Sequence, residues 1–282
     1  MTTSTIDPHP STQVMSTDAL RAASQTRRRL MRNALWGVGS IALGAVLWQG
    51  AVWLGVLPAR YFPGVPDLVR AWVELFGDET FWMALGNTLL TTFLGLALAA
   101  VFAIPLGILI GRSVYLFHST QFVLEFFRPI PVVALIPLVV LIMGIGVDAK
   151  TFLAALAAFF PLVVQTTYGS RSVDPVALDT AATYGFGPFR RLFGVLLPAA
   201  SPYIMTGVRI SAAVCLLVSV ATEIIVGSPG LGQSILIAEN SNALDVMYAL
   251  IAMTGFLGIG LNGLVVAVES RTVRWAREGG AS

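Results

Sequence analysis

Long apolar runs separated by short polar breaks dominate this sequence, and a helix needs roughly 20 such residues to cross a hydrocarbon core about 30 Å thick. Six runs meet that measure, at about 34–57, 82–111, 122–146, 151–169, 199–226 and 246–270. Between the third and fourth, Gly144, Gly146 and Asp148 make a short break, so a hairpin of two helices fits better than one very long helix. The pattern predicts an all-α membrane protein with six transmembrane helices and both termini on one side.

Periodicity inside the runs adds detail. In the second run Thr91, Gly95, Ala99, Ala103, Gly107 and Gly111 recur every four residues, which lines small side chains along one helical face and permits close helix approach. Pro105 interrupts this run and predicts a kink. In the third run Pro129, Pro131 and Pro137 break the backbone ladder, a fault tolerated where protein or a watery cavity surrounds it. A kinked packing helix and a pathway-lining helix both fit. Residues 58–81 hold Pro58, Pro63 and Pro66 with Tyr61, Phe62 and Trp72, which predicts a short helix at headgroup level. It either anchors two spans or meets an extracytoplasmic partner.

The break at 170–198 is too long for a hairpin connection and carries its own helix punctuation. Asp174-Pro175 supplies an N-cap and a first-turn proline, and the helix they start should run through Tyr184 and stop at Gly185. Gly187-Pro188 restarts a second helix through Arg190, Arg191 and Val195, and Pro198 opens the fifth span.

Charge decides the orientation. The chain is 56% hydrophobic and 11% charged, against about 25% charged in soluble domains. With the N-terminus inside, Arg21, Arg27, Arg28, Arg29, Arg32, Arg112, Arg171, Arg190, Arg191, Arg271, Arg274 and Arg277 are cytoplasmic, while Arg60, Arg70 and Lys150 lie outside. Arg128 and Arg209 fall near cytoplasmic helix ends. Cytoplasmic loops retain positive charge, so the loop 170–198 is expected on that face. The expected organisation is a disordered cytoplasmic tail at 1–25, a first span with its extracytoplasmic connector at 26–81, a transmembrane core at 82–272 and a cytoplasmic tail at 273–282. No signal-peptide cleavage is expected, and no basic patch with interleaved aromatics supports a nucleic-acid partner.

Candidate chemistry is sparse. The only lysine, Lys150, follows Asp148-Ala149 without the glycines of a phosphate-binding loop. His9 and His118 have no second histidine or cysteine at ligand spacing, so neither a metal site nor a catalytic set is visible. Cys215 is the single cysteine and reads as a core filler. Glu223 is the most deeply placed acid, with Ser219 and Thr222 beside it, and an ionisable residue in a span tends to mark a pathway. A gate contact, a helix-end pairing near Gly227 and a substrate contact all remain open for it. Asn87, Gln165 and Asn262 either bond between helices or touch a solute. Glu125 and Arg128 form a candidate i,i+3 ion pair.

The stretch DTAATYGFGPFRRLFGVLLP at 179–198 resembles the signature of permease subunits of binding-protein-dependent ATP-binding-cassette importers: Glu-Ala-Ala, three residues, Gly, nine residues, Ile, one residue, Leu-Pro. Asp179, Thr180 and Ala181 fall on the first three positions, Gly185 on the glycine, Val195 on the isoleucine and Leu197-Pro198 on the closing pair. Asp for Glu, Thr for Ala and Val for Ile are the departures. The likeness extends from about Asn87 to Glu269, where Phe127-Arg128-Pro129-Ile130-Pro131, Leu135-Ile136-Pro137-Leu138, Gly144-Ile145-Gly146, Phe159-Phe160-Pro161 and Gly230-Leu231-Gly232 look like the nitrate, sulfonate and taurine permeases.

The resemblance implies a type I importer permease fold in a bacterial plasma membrane. It implies that the loop inserts into a cleft on a cytoplasmic ATPase, with Phe186 as an apolar plug, Gly187 allowing close approach and Asp179, Arg190 and Arg191 as charged contacts. Implied partners are a second permease copy, two ATPase subunits that use ATP and Mg, and an extracytoplasmic substrate-binding protein. No cofactor is expected on this chain. Pathway candidates are Asn87, Pro131, Pro137, Gln165, Ser219, Thr222 and Glu223. Alkanesulfonates, taurine or nitrate lead as substrates, with pyrimidine vitamin precursors as competitors and an ion-coupled secondary carrier as the other class.

Overall fold

A computed structural model describes residues 36–272 other than 38, 59 and 128, with side chains described up to residue 270. The expected tails at 1–25 and 273–282, the N-terminal arginines, Arg128, and the side chains of Arg271, Arg274 and Arg277 lie outside the described residues. Two units divide at residue 67.

In the first unit, helix α1 (Gly39–Trp53) is followed by a connector that folds back on it. The Trp48 indole donates to the Pro63 carbonyl at 3.0 Å and meets the Phe62 ring edge-on at 5.7 Å. The Gln49 side chain accepts from the Val65 amide at 2.6 Å. These bonds lead the proline-rich segment into α2 (Val65–Phe76), the short helix that the prolines and aromatics predict.

The second unit is built on three long helices: α3 (Glu79–Arg112), α6 (Val147–Arg171) and α9 (Leu197–Val226). Asp78 caps α3, accepting from the Thr80 hydroxyl at 2.6 Å and the Thr80 amide at 2.8 Å, bonds that hold its carboxyl below the usual carboxylate range. The helix runs on through Pro105. All six small residues spaced four apart are buried. A Cβ added at Gly95, Gly107 or Gly111 would stand 2.7 Å from the Cβ of Ala154, Thr166 or Ser170 on α6. The α6–α9 contact uses the same device: a Cβ at Gly207 would lie 2.9 Å from that of Gln165, and one at Gly169 would lie 2.7 Å from that of Tyr203. Across these seams Ser211 donates to the Ala158 carbonyl at 2.8 Å, and Cys215 packs with Ala99, Ala154 and Ala158, as a core filler should.

The third expected span, 122–146, is corrected. Helix α4 begins earlier and covers Val114–Phe127, a 3₁₀ turn covers Val132–Leu135, and α5 covers Ile136–Met143. The two halves meet at a 74° bend. Prolines 129 and 131 lack the amide that a helix through this stretch requires, and Gly144 at φ +77° ends α5. Among the described residues four helices are long and apolar enough to cross a membrane, or five if the bent pair is one span, and α1 is shorter. The expected six is therefore not matched helix for helix.

Beyond α6 come α7 (Pro175–Thr183) and α8 (Pro188–Arg191), and beyond α9 come α10 (Leu231–Asn240) and α11 (Leu244–Thr272). Trp72 ties α2 to α11, donating to the Ala249 carbonyl at 2.8 Å and meeting the Phe256 ring at 5.1 Å. Arg209 on α9 pairs with Glu269 on α11.

The seam makes a direct prediction. Gly95→Ala and Gly107→Ala force two helices apart and should each destabilise by about 1–3 kcal/mol. Gly86→Ala, with nothing within 4 Å of the new methyl, should be neutral or slightly stabilising. Thermal unfolding of the purified variants in one detergent checks all three.

Candidate functional site

Two places concentrate polar chemistry, at opposite ends of the α3–α6–α9 bundle. The first is the elbow between α6 and α9. Asp174 accepts from the Val176 amide at 2.9 Å and starts α7 with Pro175 in the first turn. Gly185 ends it at φ +78°, where the Gly185 amide donates to Ala182 and the Phe186 amide to Ala181, each at 2.9 Å. This is the paired arrangement that closes a helix on a left-handed glycine. Leu178 turns inward onto Val173, Leu196, Ala200 and Ile204, and Ala181 is buried as well. That apolar contact fixes the elbow to the bundle.

The second helix departs from expectation: α8 passes through a π turn at Leu192–Leu196 straight into α9. Pro198 therefore lies inside one long helix instead of opening a new one. The amide of Leu197 reaches back five residues to Leu192, and this wider turn eases the clash that a proline ring makes with the preceding turn.

The elbow leaves a defined set of side chains facing away from the bundle. Tyr184 and Phe189 are 79% and 78% exposed, Phe193 is 65% exposed, and Asp179 and Thr180 are also exposed. Phe186 is half-buried under the Arg190 guanidinium, 4.1 Å from its ring centre. Val195, Leu197 and Pro198 are half-buried. Nothing lies within 4 Å of a Cβ placed at Gly185 or Gly187, so at Gly185 the glycine serves the backbone turn.

The second place is a buried ion pair. Lys150 in the first turn of α6 and Glu223 near the end of α9 are 3% and 0% exposed, and their charged atoms are 3.2 Å apart. Glu223 also accepts from the Thr88 hydroxyl at 2.9 Å and the Gly232 amide at 2.9 Å. Lys150 donates a second bond to the Pro229 carbonyl at 2.7 Å, and Thr88 accepts from the Leu231 amide at 2.9 Å. Five bonds thus tie α3, α6 and α9 to the start of α10. Gly230 and Gly232 press backbone directly against Glu223, leaving no room for a Cβ at either position.

Glu223 is paired with Lys150 one turn before Gly227, which closes α9 at φ +68°. Ser219 and Thr222 are buried beside it, and Thr222 bonds its own helix. Gln165 is half-buried at the α6–α9 seam, while Pro131 and Pro137 are exposed at the α4–α5 bend. Asn87 is half-buried and borders an open cavity. Glu125 accepts from Gln121 at 2.9 Å, and its expected partner Arg128 lies outside the described residues. Sequence reasoning missed Lys150, placing it among the outer loop cations. The available signal was that one lysine and one deep acid bracket the same end of the bundle.

Comparison with known proteins matches this architecture. The family model described as binding-protein-dependent transport system inner membrane component matches residues 103–274. The taurine transport system permease protein TauC of Escherichia coli is 30% identical over 88% of this chain and 92% of its own. The nitrate import permease protein NrtB of Synechocystis is 30% identical over 70% of this chain and 71% of its own. Among solved structures, the MetNI methionine ABC transporter in an inward-facing conformation aligns with a TM-score of 0.59 at 20% identity, covering 69% of this chain and 99% of that one. That likeness concerns the fold.

The ion pair generates a prediction. Lys150→Met strands a buried carboxylate and should destabilise by about 3–5 kcal/mol. Adding Glu223→Gln, which keeps an acceptor for Gly232 and Thr88, should restore much of that loss. Thermal melts of the single and double variants measure the coupling; equal, additive losses would show that the pair is not coupled.

Proposed function

The chain belongs to the family of binding-protein-dependent transport system inner membrane components, and from that membership we propose that it forms the translocation pathway of an importer and is driven through the elbow at 179–198. It is a multi-pass permease subunit of an ABC importer. The ion-coupled carrier no longer stands as a reading. The observation that supports the drive mechanism is the Gly185 elbow, which anchors Leu178 and Ala181 in the bundle and turns Asp179, Tyr184, Phe189 and Phe193 outward.

In this reading the elbow lies on the cytoplasmic face with both termini, in a bacterial plasma membrane. A separate ATPase, using ATP and Mg, docks on the exposed aromatics. Rigidity is what transmits its motion, because α8 and α9 form one helix and displacement of the elbow moves the whole of α9. The assembly holds two copies of this chain, two ATPases and a substrate-binding protein. The solute is a small anion or zwitterion of the alkanesulfonate, taurine or nitrate type, as the names of the relatives support. Of the pathway candidates, Asn87 borders the open cavity, whereas Ser219, Thr222 and Glu223 act from within the subunit wall.

Gly185→Val tests the drive mechanism. The new side chain has room but must adopt a left-handed backbone that a β-branched residue resists. Membrane insertion should survive, while assembly with the ATPase or stimulation of ATP hydrolysis fails. Normal transport by this variant would overturn the docking claim.

A further inference from the structure

A cavity of about 650 Å³ opens at the end of α3 remote from the elbow, between α3, α10 and α11. Its volume falls in the range of small-molecule sites. Thr80, Ala84 and Asn87 line it from α3, Gln233 and Ser234 from the start of α10, and Ser241 from just past its end. The α3 spacing places its three residues along a single helical stripe. The α11 wall, Val246 and Leu250, is apolar.

The charge distribution is uneven along its depth. Asp78, at the exposed rim, is the only charged residue in the lining. Asn87 lies nine residues further along α3, roughly 13 Å at the rise of an α-helix. The floor is formed by Pro229 and Gly230, where the Lys150 ammonium donates to the Pro229 carbonyl from behind and α10 begins. Glu223 offsets the Lys150 charge and also accepts from the Gly232 amide in the first turn of α10, so the floor carries no net charge. The rim is negative and the floor neutral, with no acid beside the Asn87 and Gln233 carboxamides in the lining.

We infer that this cavity is a solute subsite of the pathway and that it takes a small zwitterion, with an amine directed outward to Asp78 and an anionic oxygen group directed inward to the Asn87 and Gln233 carboxamides. Gln233 spends one amide hydrogen on the Gly227 carbonyl at 2.6 Å and keeps the other for a ligand. A simple monoanion meets Asp78 at the rim with no amine to answer it. The inference rests on the permease reading and narrows its solute class to amino-sulfonates over alkanesulfonates and nitrate.

The test is equilibrium binding of radiolabelled taurine to the permease–ATPase complex in nanodiscs, without the binding protein, with ethanesulfonate and nitrate as competitors. Taurine should bind saturably and compete best. Asp78→Asn keeps the helix cap, since asparagine caps as well as aspartate, and should reduce taurine's advantage over ethanesulfonate roughly two- to fivefold, the reach of an exposed charge pair. Gln233→Leu should weaken taurine and ethanesulfonate together. Absence of saturable binding, or equal binding of all three solutes unaffected by Asp78→Asn, would overturn the cavity assignment. Uptake with the binding protein restored separates the two claims: transport that persists in either case leaves the permease reading standing.

Discussion

Close backbone contact along one face of α3 is the constraint on which the second unit depends. Lipid tails are as apolar as leucine, so burying leucines between helices gains little in a membrane, and association rests on close contact of small residues. Gly95, Gly107 and Gly111 let α3 meet Ala154, Thr166 and Ser170 of α6, and Gly169 and Gly207 do the same between α6 and α9. Large apolar side chains such as Phe93, Val101 and Phe102 are left on the outer faces, where they are exposed within this chain.

The seam fixes what stands at either end of it. At one end the apolar cluster under α7 joins Leu178 to Ile204 on α9, with Ile104 and Ile108 of α3 against it. At the other end the seam brings Thr88, Lys150 and Glu223 within bonding distance. A buried pair of charges adds little net stability over an apolar replacement, but losing one partner is expensive, which makes such a pair suited to fixing register. Here it fixes the first turn of α10, part of the wall and floor of the cavity. Between the two ends α9 runs without a break, so an elbow displaced by an ATPase and a cavity facing a delivered solute would be joined by one rigid element.

Much of this was legible in the residues. The four-residue recurrence from Thr91 to Gly111 gave the α3–α6 face, because small side chains at that spacing have one geometric use. Asp174-Pro175 and Gly185 gave the start and end of α7, because capping is local chemistry. What the residues hid is non-local. Apolar composition in 122–146 describes solvent preference and not straightness, so a 74° bend was read as one span. Pro198 resembles a helix start until a π turn absorbs it. Lys150 and Glu223 are 73 positions apart, and only the fold reveals that they are partners. The resemblance offers Phe186 as an apolar plug, and the fold adds that Arg190 stacks over its ring while Tyr184 and Phe189 stand clear.

The central claim, that an ATPase grips this chain at the elbow, is tested most directly by site-specific cross-linking. Cys215 is the only cysteine and is buried, so a Cys215→Ala background accepts single cysteines at Tyr184, Phe189 and, as a control at the other end of the bundle, the exposed Met83. In the assembled importer, cross-links to the ATPase should form from positions 184 and 189, change in yield when ATP and Mg are added, and be absent from 83. Cross-links from neither elbow position in a complex that still transports would contradict the account.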